Sequence, residues 1–288
     1  MIKYLFIFAI FTSLYTNAQK NTEIYVFDFR PAYEGLEFMN PQNISNNSGY
    51  NNQPFFSSNE TVLFAGNNEG QTDISEYNLN TKSKKWINKK TEGGEYSPQK
   101  FPSSTDLAAV RLDKDGLQRL YRYSSETGKS TEIIKDLQVA YFTFYNDQKM
   151  LTTVLDGDKM DLVMIDLPSK KADTLFYNAG RSLQKVPNTN PLSYSLFNEE
   201  GNLDLYLLDM NSGESFFVTQ LPIGIQDYVW INDTQILIGS GNKLYMYDTL
   251  GESEWNRVAD LEEFGIKNIS RMAISPDGKK LALVAELQ

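Results

Sequence analysis

The chain has 288 residues, 41% of them apolar, with 17 Tyr and 17 Phe against 3 Trp, a balance that suits one large all-β domain. It carries 27 basic and 37 acidic residues, a net charge of −10, and neither His nor Cys. That charge argues against a nucleic-acid partner. The missing residues exclude disulfides, thiolate or imidazole metal sites and a Ser-His-Asp triad.

From the N-terminus, Lys3, the apolar run "YLFIFAIFTSLY" and the small residue Ala18 predict a cleavable export signal over residues 1–18. The run falls short of the roughly 20 residues that a membrane-spanning helix needs. Cleavage would leave 26 basic against 37 acidic residues, a net of −11. The expectation is an exported protein, periplasmic or secreted, that does not span the membrane and is monomeric, with residues 19–288 forming one domain.

Two interleaved series of strands then run along the chain. The first is "IYVFDF" from Ile24, "ISEYNL" from Ile74, "LYRYSS" from Leu120, "LVMIDL" from Leu162, "LYLLDM" from Leu205 and "LYMYDT" from Leu244. The second is "TVLFAG", "LAAVRL", "MLTTVL", "LSYSLF", "ILIGSG" and "KLALVA". Its centres at Leu63, Ala108, Leu151, Tyr194, Leu237 and Ala282 are spaced by 45, 43, 43, 43 and 45 residues. A period near 40–45 with four short strands per unit predicts a six-bladed β-propeller. With strands a to d counted outward from the channel, the second series is strand b and the first is strand c. The first c strand precedes the first b strand, and the last b strand has no c strand after it. The last blade should therefore be closed by N-terminal strands c and d (about 22–45) pairing with C-terminal strands a and b (about 268–287). This would cover the apolar edge that "ISPDGKKLALVAE" otherwise leaves bare.

The beginnings of the a strands should converge at one mouth of the channel. They bring Tyr50, Asn51 and Gln53; Glu95 and Tyr96; Tyr141; Arg181 and Gln184; Gln226, Asp227 and Tyr228; and Arg271. A guanidinium there would grip a carboxylate or phosphate, and exposed Tyr would anchor an interface. Alternatively, Arg181 and Arg271 pair with Glu95 and Asp227 and fill a narrow channel. The acids of "LDGDKMD" (Asp156, Asp158, Asp161) lack the spacing of a calcium loop and read as a hairpin turn. The Gly-x-Gly of "GSGNKLY" leads into a strand, not into a phosphate-cradling helix. No cofactor or metal is expected.

"NISNNSGYNNQPFFSSNETVLFAGNNEGQTDISEYNL" (43–79) and "ISPDGKKLALVAE" (274–286) resemble the TolB-type, WD40-like β-propeller repeat. "EYSPQ", "QRLYRY", "GRSLQKVP" and "DYVWI" are similar to a group of exported single-domain bacterial propellers. The resemblance implies the propeller fold and no particular reaction. Relatives often carry a His in the strand that here reads "AYFTF" (140–144). The expectation is a non-enzymatic binding or scaffold module of the cell envelope, taking an envelope or extracellular protein or a small ligand. The alternative is a carboxylate- or calcium-dependent lyase or hydrolase acting on a sugar or lactone.

Overall fold

A computed structural model describes residues 21–88 and 91–286; the export signal expected over residues 1–18 lies outside them. The described residues form six four-stranded antiparallel sheets and one short 3-10 turn at Glu262–Phe264. This is the six-bladed propeller expected from the repeat. Five blades are continuous in the chain, and their innermost strands begin at Asn51, Gly94, Val139, Ala179 and Val229. They are numbered here as blades 1 to 5.

Blade 6 is a composite. Its inner strands, Arg271–Ile274 and Lys280–Glu286, come from the end of the chain, and its outer strands, Thr22–Pro31 and Leu36–Asn43, from the beginning. The two ends pair antiparallel from Thr22↔Glu286 to Asp28↔Lys280, and Lys280 Nζ lies 2.6 Å from Asp28 Oδ1. The edge strand left by each end is thus paired with the other, as the expected closure requires.

Alternation explains why the b strands read as unbroken apolar runs. Successive side chains point to opposite faces of a strand, and here both faces are covered by neighbouring blades. In blade 1, Val62 and Phe64 pack with Ile24, Val26 and Val284 of blade 6, whereas Leu63 packs with Ala109 and Tyr123 of blade 2. The buried apolar residues fall into six clusters, one between each adjacent pair of blades. The core is therefore a ring of interfaces surrounding the channel.

The innermost strands are the irregular ones. In blades 1 to 4 their pairing with the second strand slips, between Asn52 and Phe55, Tyr96 and Gln99, Val139 and Tyr141, and Ala179 and Leu183. Gln53 (φ 56°) and Ser97 (φ 51°) occupy the left-handed region in the first two of these slips. Side chains other than glycine enter that region at a cost, and bulges of this kind re-aim the residues beside them.

A binding site candidate in the central channel

Six residues, one from each innermost strand or the turn leading into it, form a belt across the channel: Gln53, Ser97, Tyr141, Arg181, Asp227 and Arg271. Asp227 of blade 5 is the hub. Arg181 of blade 4 donates through Nε (2.9 Å) and Nη2 to its Oδ2, and Arg271 Nη1 of blade 6 lies 3.4 Å from its Oδ1. Arg271 then crosses to the opposite blade, where Nη2 donates to the Tyr141 hydroxyl at 3.3 Å, with the guanidinium carbon 5.1 Å from the ring centre. On the other side, the Ser97 amide donates to Gln53 Oε1 at 2.8 Å.

The side chains of Arg271 and Asp227 are only 16% and 11% exposed. Burial works against the charge of Arg271, but Asp227, Tyr141 and Tyr50 outweigh it and raise its pKa. Two guanidiniums share one carboxylate, so the belt keeps an uncompensated positive charge. Tyr50 packs edge-on to Tyr96, with ring centres 6.0 Å apart, and burial pushes its hydroxyl up to about 12.

The belt separates two cavities. One, of about 580 Å³, runs down the channel to the turns at Ser103, Pro187 and Pro276. The other, of about 350 Å³, opens on the opposite face between Gln118, Asp158, Phe197 and Gln226. Tyr141 and Arg181 line both. Gln53, Gln184, Asp227, Tyr228 and Arg271 line the first and Gln226 the second.

Of the expected mouth residues, Tyr50, Asn51, Glu95 and Tyr96 line neither cavity, and Tyr228, which lines the first, is almost wholly buried. Asn51 is fully buried and ties blade 1 to blade 6, its amide nitrogen donating to the carbonyls of Thr22 (2.9 Å) and Asn47 (2.9 Å). Tyr228 is 1% exposed, with its hydroxyl 3.0 Å from Ser193 Oγ, so only its inner edge reaches the channel. Glu95 is fully enclosed between blades 1 and 2. It accepts from Thr91, from Asn88 Nδ2 (3.0 Å) and from Tyr123 (3.1 Å). The same Asn88 amide also reaches the buried Asp73 (3.0 Å). Burial, reinforced by that neighbouring carboxylate, raises Glu95 to about 7, against the pull of Thr91 and Tyr123. The expected pairing of the arginines with Glu95 and Asp227 is thus corrected to Asp227 alone.

Ser97, in the strand entry Glu95-Tyr96-Ser97 that the sequence places at the channel mouth, lines the channel; sequence reasoning missed Lys100 and Lys185, which line it too. Lys185 follows Gln184, so position along the strand could have found it. Trp230 is buried between blades 4 and 5.

No family model matches the chain, and no curated protein matches it. Solved structures do. A protein assigned as TolB from Agrobacterium tumefaciens superposes with a TM-score of 0.70 at 12% identity, over 94% of this chain and 99% of that one. TolB from Acinetobacter baumannii gives 0.59 at 11% identity, over 92% of this chain and 64% of that one. An oligogalacturonate lyase in complex with manganese gives 0.52 at 14% identity, over 94% and 98%. The residues here do not fit a manganese site, since among the described residues no three His, Cys, Asp or Glu are placed to hold a metal ion. Nor is any described helix long and apolar enough to cross a membrane. The chain has the fold of the TolB-type six-bladed β-propellers.

Proposed function

We propose that the protein is a non-enzymatic, exported propeller that binds a protein or small ligand in the cell envelope, with the channel belt as its recognition element. One observation carries this reading. Four blades converge on Arg181, Asp227, Arg271 and Tyr141, an array of two guanidiniums and a hydroxyl around one carboxylate, with an unspent positive charge between two open cavities. Such an array binds carboxylate or phosphate through charge-assisted, bidentate contacts. The likeness to TolB-type folds supports a binding role, and fold alone selects no chemistry.

The alternative, a lyase or hydrolase, draws on the likeness to the oligogalacturonate lyase. It needs two acids at one mouth, or a site for calcium. Asp227 is the one acid among the described residues lining the larger cavity, held between two guanidiniums, and Asp158 is the one lining the second. Neither cavity brings two carboxylates together among its described lining residues.

The test is capture of envelope partners by the mature protein and by the Arg181→Gln, Arg271→Gln double variant, with unfolding followed in parallel. Charge-assisted contacts are worth about 1.5–3 kcal/mol each, so capture should fall at least tenfold while the blades stay folded. Equal capture by two folded proteins contradicts the reading.

A further inference from the structure

The larger cavity of this acidic chain is lined mainly by basic charge. Four basic residues, Lys100, Arg181, Lys185 and Arg271, line the larger cavity, against the single acid Asp227. The lining therefore carries +3 within a protein of net charge −10. The charges lie at two levels. Arg181 and Arg271 form the belt. Lys100 and Lys185 stand near the far end of their strands, opposite Leu107 and Leu192. Neither lysine has an ion-pair or hydrogen-bond partner among the described residues. Lys185 follows Arg181 by four residues, which at about 3.3 Å per residue, less the slip between Ala179 and Leu183, sets the levels roughly 10 Å apart.

We propose, building on the channel as binding site, that its ligand is an extended chain bearing several carboxylates. It would enter from the face of the Ser103, Pro187 and Pro276 turns and lie along the axis. One carboxylate would meet the guanidinium charge that Asp227 leaves uncompensated, and a second would meet Lys100 and Lys185. The volume of about 580 Å³ lies within the range of small-ligand sites. It admits a few residues of an acidic peptide or a few rings of a uronic acid chain, and both present carboxylates on an extended backbone. Low-dielectric walls focus the field of the channel, so a polyanion is drawn in although the outer surface repels it.

Titration calorimetry on the mature protein tests this with four probes: tetraglutamate, tetraglutamine, a tetramer of galacturonate and its methyl ester. The account expects at least one acidic probe to bind ten times or more tightly than its neutral counterpart. The preferred acid shows whether peptide or uronide is the source. Affinity should fall as salt rises, and the Lys100→Gln, Lys185→Gln double variant should lose about fivefold and show a flatter salt dependence. Neutral probes binding as tightly as acidic ones overturn the proposal, as does an unchanged lysine variant. So does silence from every probe. If envelope capture is still lost in the arginine variant, the channel remains the binding site and only its ligand class is wrong.

Discussion

Glu95 and Arg271 both open an innermost strand, yet one is sealed between blades and the other reaches across the channel. The difference is one of position relative to a slip in the strand. Asn51, Glu95 and Val139 follow one another at 44-residue intervals, and all three are fully buried and face the preceding blade. The belt residues Gln53, Ser97 and Tyr141 come two positions later and face the channel. Two residues along a regular strand would share a face, but the intervening slips break that rule. A repeat in the sequence marks where the strands begin. It does not show how a bulge turns the side chains that follow, so Arg181, Asp227 and Arg271 were legible as channel residues and the burial of Glu95 was not. That burial makes a prediction. An unfolded Glu titrates near 4.3, whereas enclosed Glu95 titrates at about 7. Between these values the native state keeps a proton that the unfolded chain has released, so stability from this group is lost as pH rises from about 4.5 to about 7, and is level above that. Glu95→Gln, which keeps an uncharged donor beside Asp73, should remove that slope. Relative to the variant, the parent should lose on the order of 2 kcal/mol across the window in urea unfolding. Parallel pH profiles would show that the pair is not proton-linked.

At the level of elements, the second and third strands of each blade were readable because both faces are apolar and the Gly-, Asn- and Asp-rich turns between them are local. The innermost strands were not, because polar residues, slips and positive φ at Gln53 and Ser97 suit a channel wall better than a regular ladder. The polar stretch 40–54 is mostly strand. The outer strand runs on to Asn43 and the next blade starts at Asn51. Blade 4 shows how tightly an innermost strand is seated. A Cβ at Gly180 would lie 2.2 Å from Ser195 Oγ and 3.0 Å from Leu203 Cδ2. Gly180→Ala should therefore cost about 2 kcal/mol by overpacking. Ser195 Oγ has no hydrogen-bond partner among the described residues. Adding Ser195→Ala should thus recover at least half of the loss, which thermal or urea unfolding of the two single variants and the double variant would show. Additive losses would mean that the backbone, not the hydroxyl, resists the methyl group.

The whole molecule depends on joining its ends. The offset between the two strand series made this closure visible from residue order alone, since it needs only a count of b and c strands. What order could not supply is the chemistry that closure produces. Arg271 precedes the last strand of the chain, and it meets Asp227 and Tyr141 only because the N-terminal strands complete its blade and hold it on the ring. An open ring would leave blade 6 as half a sheet and the belt without its crossing residue. The most direct measurement uses the chain's lack of cysteine. Thr22 and Glu286 are register partners, and the Thr22 amide donates to Gly49, away from the facing strand, which marks a close, non-hydrogen-bonded pair. Such pairs bring Cα atoms to about 4.5 Å, within reach of a disulfide. In the Thr22→Cys, Glu286→Cys variant, mild oxidation should give one intramolecular disulfide, seen as the loss of two hydrogens, about 2 Da, in intact mass. A single proteolytic nick should then leave the halves joined until reduction. Two thiols that stay free under the same oxidation, in a folded monomer, would contradict the closed ring and with it the channel site.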